Sequence, residues 1–149
     1  MAQPLPPAAT SPPPAAPAVS ATQFADAMQG PHAPTLRLLQ SCADNLVNLW
    51  MHAFDQPGPA YNGVTVMLFD SLFQELLGEL QTVTITLGTG LDPCGQPIDA
   101  HHVKDALTEL HDAYATPVTG KSLERICGPP TRERFDRFLS DLKTAAESL

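Results

Sequence analysis

The chain has 149 residues and a formal net charge of −8, from 16 acidic and 8 basic side chains. Between Leu38 and Val103 it carries no Lys or Arg, and a surface so poor in cations suits neither a nucleic-acid backbone nor an anionic membrane. No run approaches the ~18 apolar residues of a membrane-spanning helix, and the length leaves room for one domain.

Residues 1–34 are rich in Pro and Ala, and the first 23 carry no charge. Such a tract has little to bury and is expected to be a disordered tail of polyproline-II character. It has neither the basic n-region and apolar h-region of a secretory signal nor the arginines of a mitochondrial presequence. Residues 35–149 are the expected helical assembly domain. The first helix is expected over about 36–54, with Thr35 as its N-cap after the breaker-rich Gly30-Pro31-His32-Ala33-Pro34. Its apolar stripe is Leu36, Leu39, Ala43, Leu46, Leu49, Trp50 and Ala53. The short Pro/Gly connection that follows, Gln56 to Gly63, predicts an antiparallel neighbour.

That neighbour is the segment Val64 to Leu87. Phe69, Leu72, Phe73, Leu76, Leu80, Val83 and Leu87 recur every three or four residues, the period of one helix face. From Thr82 to Leu87, Thr alternates with Val, Ile and Leu, which is also a strand signature. The upstream period runs through Val83 and Leu87, so helix is the reading adopted, stopped by Gly88 and Gly90. Asp99 is expected to cap a helix over about 100–114 with Val103, Ala106, Leu107, Leu110 and Tyr114 on its apolar face. Pro117 ends it. Thr119 is expected to cap a short helix with Leu123 and Ile126 inward, closed by Gly128. Thr131 is expected to cap the last helix, which presents Phe135, Phe138, Leu139, Leu142, Ala145 and Ala146. The fold class is therefore all-α: a small helical bundle with a central antiparallel pair and shorter C-terminal helices.

No catalytic pattern stands out. Cys94, His101, His102, His111 and Cys127 are the set that most resembles a zinc site, but they lack Cys-x-x-Cys or His-x-x-x-His spacing. Exposed polar positions are the simpler account, and neither metal nor cofactor is expected. The three cysteines, Cys42, Cys94 and Cys127, are odd in number and without framework spacing, which reads as reduced thiols. Cys127 follows Arg125, but nothing brings it a histidine base. Glu75 and Glu79, four apart on the long helix, read as a solvated face. Thr86-Leu87-Gly88-Thr89-Gly90 and Gly120-Lys121-Ser122 each hold only half of a phosphate-loop pattern. What physics does support is apolar surface in excess of one small core, available to partner helices. The stripe residues Leu72, Leu76, Leu80, Val83, Phe135, Phe138 and Leu142 are the candidate partner-binding positions.

Three stretches resemble a known family. The first helix closes on Asn45 to Ala53 and runs into Phe54-Asp55-Gln56-Pro57-Gly58-Pro59. The long second helix follows. Then Val103, Leu107, Leu110, Asp112 and Pro117 fall in register with a shared motif, trailed by Thr119, Lys121 and Leu123. This order is similar to Mediator complex subunit 10, a small component of the middle module of the transcriptional coactivator. Lys104 stands where the family has a proline, and the glycine and asparagine before Pro117 are missing. The resemblance implies a non-enzymatic nuclear subunit that contacts other Mediator subunits and helps regulate RNA polymerase II transcription. A helical scaffold of another assembly, viral or kinetochore-like, is the rival reading. A small metal-dependent or thiol enzyme built on Cys94, His101, His102, His111 and Cys127 is the rival from a different class.

Overall fold

The computed structural model describes residues 30–149. They form a bundle of five helices: α1 (Ala33–His52), α2 (Gly63–Thr89), α3 (Ala100–Tyr114), α4 (Pro117–Cys127) and α5 (Pro129–Glu147). Among the described residues there is no strand beyond one isolated bridge, Leu91 to Pro97. The expected tail lies outside the described residues except at its end, where Ala33 and Pro34 already belong to α1.

The stretch from Thr82 to Leu87 is helix. Its threonines are accommodated by donating back to the carbonyl four residues earlier, Thr82 Oγ1 to Gly78 O at 3.0 Å and Thr84 Oγ1 to Leu80 O at 2.8 Å. A helical threonine commonly satisfies its hydroxyl in this way. Gly90, in the left-handed region at φ 70°, closes α2. Asp99 caps α3 as expected, its carboxylate accepting from His102 N. These backbone and side-chain contacts with His102 hold the Asp99 carboxyl below its ordinary pKa.

Three expected caps are corrected together. Thr35, Thr119 and Thr131 do not begin their helices, because each helix starts earlier, with a proline as its first or second residue. A proline in the first turn gives up no helical hydrogen bond, since the N–H groups there have no partner, and its fixed φ suits the helix. Thr116 is the cap of α4, accepting from Thr119 N at 3.2 Å. Thr35 and Thr131, displaced into the first turns, are buried and make long-range bonds instead. Thr131 Oγ1 donates to Ala53 O at 3.2 Å, joining the start of α5 to the end of α1. At the other extreme Thr35 Oγ1 meets Ser148 Oγ. Ser148 Oγ donates to Ala145 O, which leaves Thr35 as the donor between the two hydroxyls.

Helices α1 and α5 are thus antiparallel and pinned at both ends. The element at the centre is α5, which packs against α1, α3 and α4, whereas α2 packs against α1 and α3. Phe73, Phe135, Leu36, Leu39, Leu46 and Leu142 are among the largest fully buried side chains. The connection between α1 and α2 is docked rather than free. Gly58 N donates to Ile126 O at 3.1 Å and Ala60 N to Arg125 O at 2.8 Å, supplying partners to carbonyls at the end of α4. This needs close backbone approach. A Cβ on Gly58 would stand 2.3 Å from Arg125 O, and one on Gly128 2.1 Å from Gln56 O.

Candidate partner-binding surface

The connection that docks on α4 also sets the start of α2. Asn62 is its N-cap. Its side-chain oxygen accepts from Val64 N at 2.9 Å and Thr65 N at 3.0 Å, while Thr65 Oγ1 accepts from Asn62 N at 2.9 Å. This reciprocal capping box satisfies the backbone donors that a helix start leaves open. Beside it, Trp50 near the end of α1 donates from Nε1 to Asp70 Oδ1 at 2.9 Å and stacks on Phe73 with ring centres 6.1 Å apart. Phe54 and Tyr61 meet at 5.3 Å. The end of α1, the connection and the first turns of α2 are therefore held in one fixed arrangement.

The outer face of that arrangement is apolar. Met51 is 71% exposed, Val64 68%, Met67 71% and Leu68 62%, with Val47 and Tyr61 also open to solvent. Helical spacing places Val47 and Met51 on one face of α1, and Val64, Met67, Leu68 and Ser71 on one face of α2. From Gly63 to Phe69 there is no charged residue. A helix that is apolar on all sides suits a fully buried position, yet here one side has no covering element among the described residues. Ile85, Leu91 and Val118 are exposed singly elsewhere, as isolated apolar side chains often are.

The candidate partner-binding residues lie mostly elsewhere. Leu76, Leu80, Phe135, Phe138 and Leu142 are buried in the chain's own core, and Leu72 and Val83 are half-buried against it. Those on α2 are covered by α1 and α3, and those on α5 by α1, α3 and α4, within the same molecule. Sequence reasoning passed over Met51, Val64, Met67 and Leu68 because they fall off the main stripe. The signal that marks them is the uncharged run at the start of α2, where apolar residues occupy both faces.

The residues of the possible zinc set are not gathered. Cys94 is exposed in the turn between α2 and α3, its N–H bonded to Asp92 Oδ1 at 2.9 Å. His101 and His102 stand exposed on the first turn of α3, paired with Asp105 and Asp99. His111 pairs with Asp112 at the other end of that helix. Cys127 is buried at the end of α4. Among the described residues no group of three or more His, Cys, Asp or Glu is placed to hold a metal ion. Burial pushes the Cys127 thiol up to about 12; Cys42 also rises to about 12, through burial first and then the charge of Asp141. Neither thiol is disposed to act as a thiolate. Glu75 and Glu79 are exposed, and both hold the Tyr114 hydroxyl above its ordinary pKa, behind the larger effect of burial.

An open groove of about 460 Å³ runs between the end of α3, the start of α4 and α5, lined in part by His111, Thr116, Arg132 and Lys143. Arg132 is already held by Glu124 and Asp136. Gly120 and its neighbours, half of a phosphate-loop pattern, lie within α4 and form no loop. No helix among the described residues is long and apolar enough to cross a membrane. Comparisons of the chain with protein-family models, with curated proteins and with solved structures give no match.

Proposed function

We propose that this chain is a non-enzymatic subunit of a multiprotein assembly, holding a partner protein on the apolar face formed by the end of α1 and the start of α2. The single observation that carries this reading is the exposure of Val64, Met67 and Leu68 on one face of capped α2, and of Met51 at the end of α1, which Trp50 and Asp70 bond to α2. Apolar side chains left open together on one support mark an interaction surface, whereas those exposed singly need no explanation. The assembly we propose is the middle module of Mediator, in the nucleus, where the subunit would help regulate RNA polymerase II transcription. What supports that choice is the register of Val103, Leu107, Leu110, Asp112 and Pro117 with the pattern of Mediator subunit 10, and the order of helices around it.

The test is affinity purification of the tagged full chain followed by mass spectrometry, beside a Met67→Glu/Leu68→Glu variant. The expected result is other Mediator subunits and the polymerase with the unaltered chain, and their loss with the variant. Recovery of neither overturns the Mediator assignment. An unchanged partner set with the variant overturns the assignment of this face.

A further inference from the structure

We infer that the occupant of this face is an amphipathic helix of a different protein, apolar on the side it presents and flanked by Lys and Arg. The inference rests on the proposed assembly function and adds the chemistry of the partner. The exposed apolar side chains are rimmed by carboxylates. Asp44 lies on the same face of α1 as Val47 and Met51, and Asp55 follows at the turn. Asp70 sits at Trp50, and Glu75 continues the outer face of α2 beyond Leu68 and Ser71. All four are exposed, Asp55 is bonded to His52 at 2.8 Å, and neither helix carries a Lys or Arg after Arg37. Arg125 is on the α4 turn that holds the connection, and the four carboxylates outweigh it.

This rim decides among occupants. A second copy seated symmetrically on the same face would set acid against acid, and like charges facing each other oppose docking. An anionic lipid surface or a nucleic acid meets the same repulsion. A basic-flanked apolar segment is attracted by the rim and buries its own apolar side on the methionines. The secondary structure decides its form. The face is made of two packed helices and offers no unpaired strand edge, so recognition proceeds by a helix laid along the seam rather than by strand addition. Methionine suits the task, because its unbranched thioether adapts to varied apolar surfaces.

The full chain has four methionines, Met1, Met28, Met51 and Met67, so methyl-labelled methionine places two NMR reporters in the face itself. Three synthetic helical peptides serve as probes: one with a Leu stripe flanked by Lys, one with the same stripe flanked by Glu, and one flanked by Lys with Ser in place of Leu. The Lys-flanked Leu peptide is expected to shift the Met51 and Met67 signals saturably and to bind at least about tenfold tighter than either of the others, weakening as salt rises. Met67→Glu/Leu68→Glu, in which Met51 remains as the reporter, is expected to abolish the Met51 shift while the remaining spectrum stays that of the folded chain.

Equal binding of the Lys- and Glu-flanked peptides overturns the inference, as does equal binding of the Ser-striped peptide, which would reduce the effect to charge alone. Shifts of Met51 and Met67 that depend on protein concentration without peptide assign the face to a second copy and also overturn it. Contacts from Met51 and Met67 to residues 1–29 in the free chain assign the face to that segment, and they overturn the inference as well. Loss of purified partners in the double variant, with no preference for the Lys-flanked peptide, leaves the assembly function standing and removes the partner chemistry. Retention of those partners by the double variant overturns both.

Discussion

Helices α5 and α2 differ in how they distribute their apolar residues, and the bundle treats them differently. In α5 the segregation is strict. Phe135, Phe138, Leu139, Leu142, Ala145 and Ala146 are buried, while Arg134, Asp136 and Arg137 face outward. Three other helices pack on it. In α2 the apolar residues exceed one face. Phe69, Phe73, Leu76 and Leu80 are buried, while Val64, Met67 and Leu68 remain outside. The more apolar helix is thus not the more central one. Segregation secures a place in the core, and surplus marks a surface with another use.

The contrast can be broken most sharply at Phe135. Phe135→Ala removes a fully buried ring from the hub and is expected to cost about 3–5 kcal/mol. That is a large share of the ~5–15 kcal/mol a domain holds, so urea unfolding is expected to show a much lower midpoint or no folded baseline. A normal midpoint would show that α5 is not the hub. Next in size is Gly128→Ala. It forces a side chain against the Gln56 carbonyl at a residue with φ 86°, and about 1–3 kcal/mol of destabilisation is expected in the same assay. Thr131→Val keeps the shape and deletes the bond to Ala53 O, and about 1–2 kcal/mol is expected for the stranded buried carbonyl. Thr131→Ser, which restores a donor, is expected to recover part of it.

A smaller effect separates the interior from the exposed turn. Thiol labelling of the native chain is expected to modify Cys94 quickly, and Cys42 and Cys127 only on unfolding. The folded-state pKa of both buried thiols lies above the ordinary 9.0, at about 12. The unfolded chain therefore loses these protons first. Their contribution to stability is whole below pH 9 and is lost as pH rises toward about 12. Cys42→Ala is expected to flatten that alkaline decline, seen as a shallower fall of the unfolding midpoint with pH. The smallest effect is expected at the open face. Leu68→Glu is expected to change stability by no more than about 0.5 kcal/mol, because the side chain is already in water. A large loss there would mean that Leu68 is covered, and the surface proposed for a partner would disappear.

The helices were legible from periodicity, and so was the helical character of the threonine-rich end of α2. The starts of α1, α4 and α5 were not, and for one shared reason. Pro34 and Pro117 read as breakers and Gly128 as a stop, while a first helical turn accepts proline without loss, so each helix begins before the threonine that seemed to cap it, α5 at Pro129. The hub was also hidden. A stripe such as Leu76–Leu80 declares that it is buried but not by which element, and the bonds that pair α1 with α5 join Thr35 to Ser148 and Thr131 to Ala53 across most of the chain. The exposed face was legible only as surplus: the uncharged run Gly63–Phe69 was in view, but its missing cover is a property of the packing.

The hydroxyl contact between Thr35 and Ser148 has a practical corollary. It brings the beginning of α1 and the finish of α5 to one pole of the bundle, whereas Met51 and Met67 stand at the opposite pole. A fluorophore or purification handle attached after Leu149 therefore departs on the far side, leaving the methionines unobstructed for surface immobilisation and energy-transfer experiments.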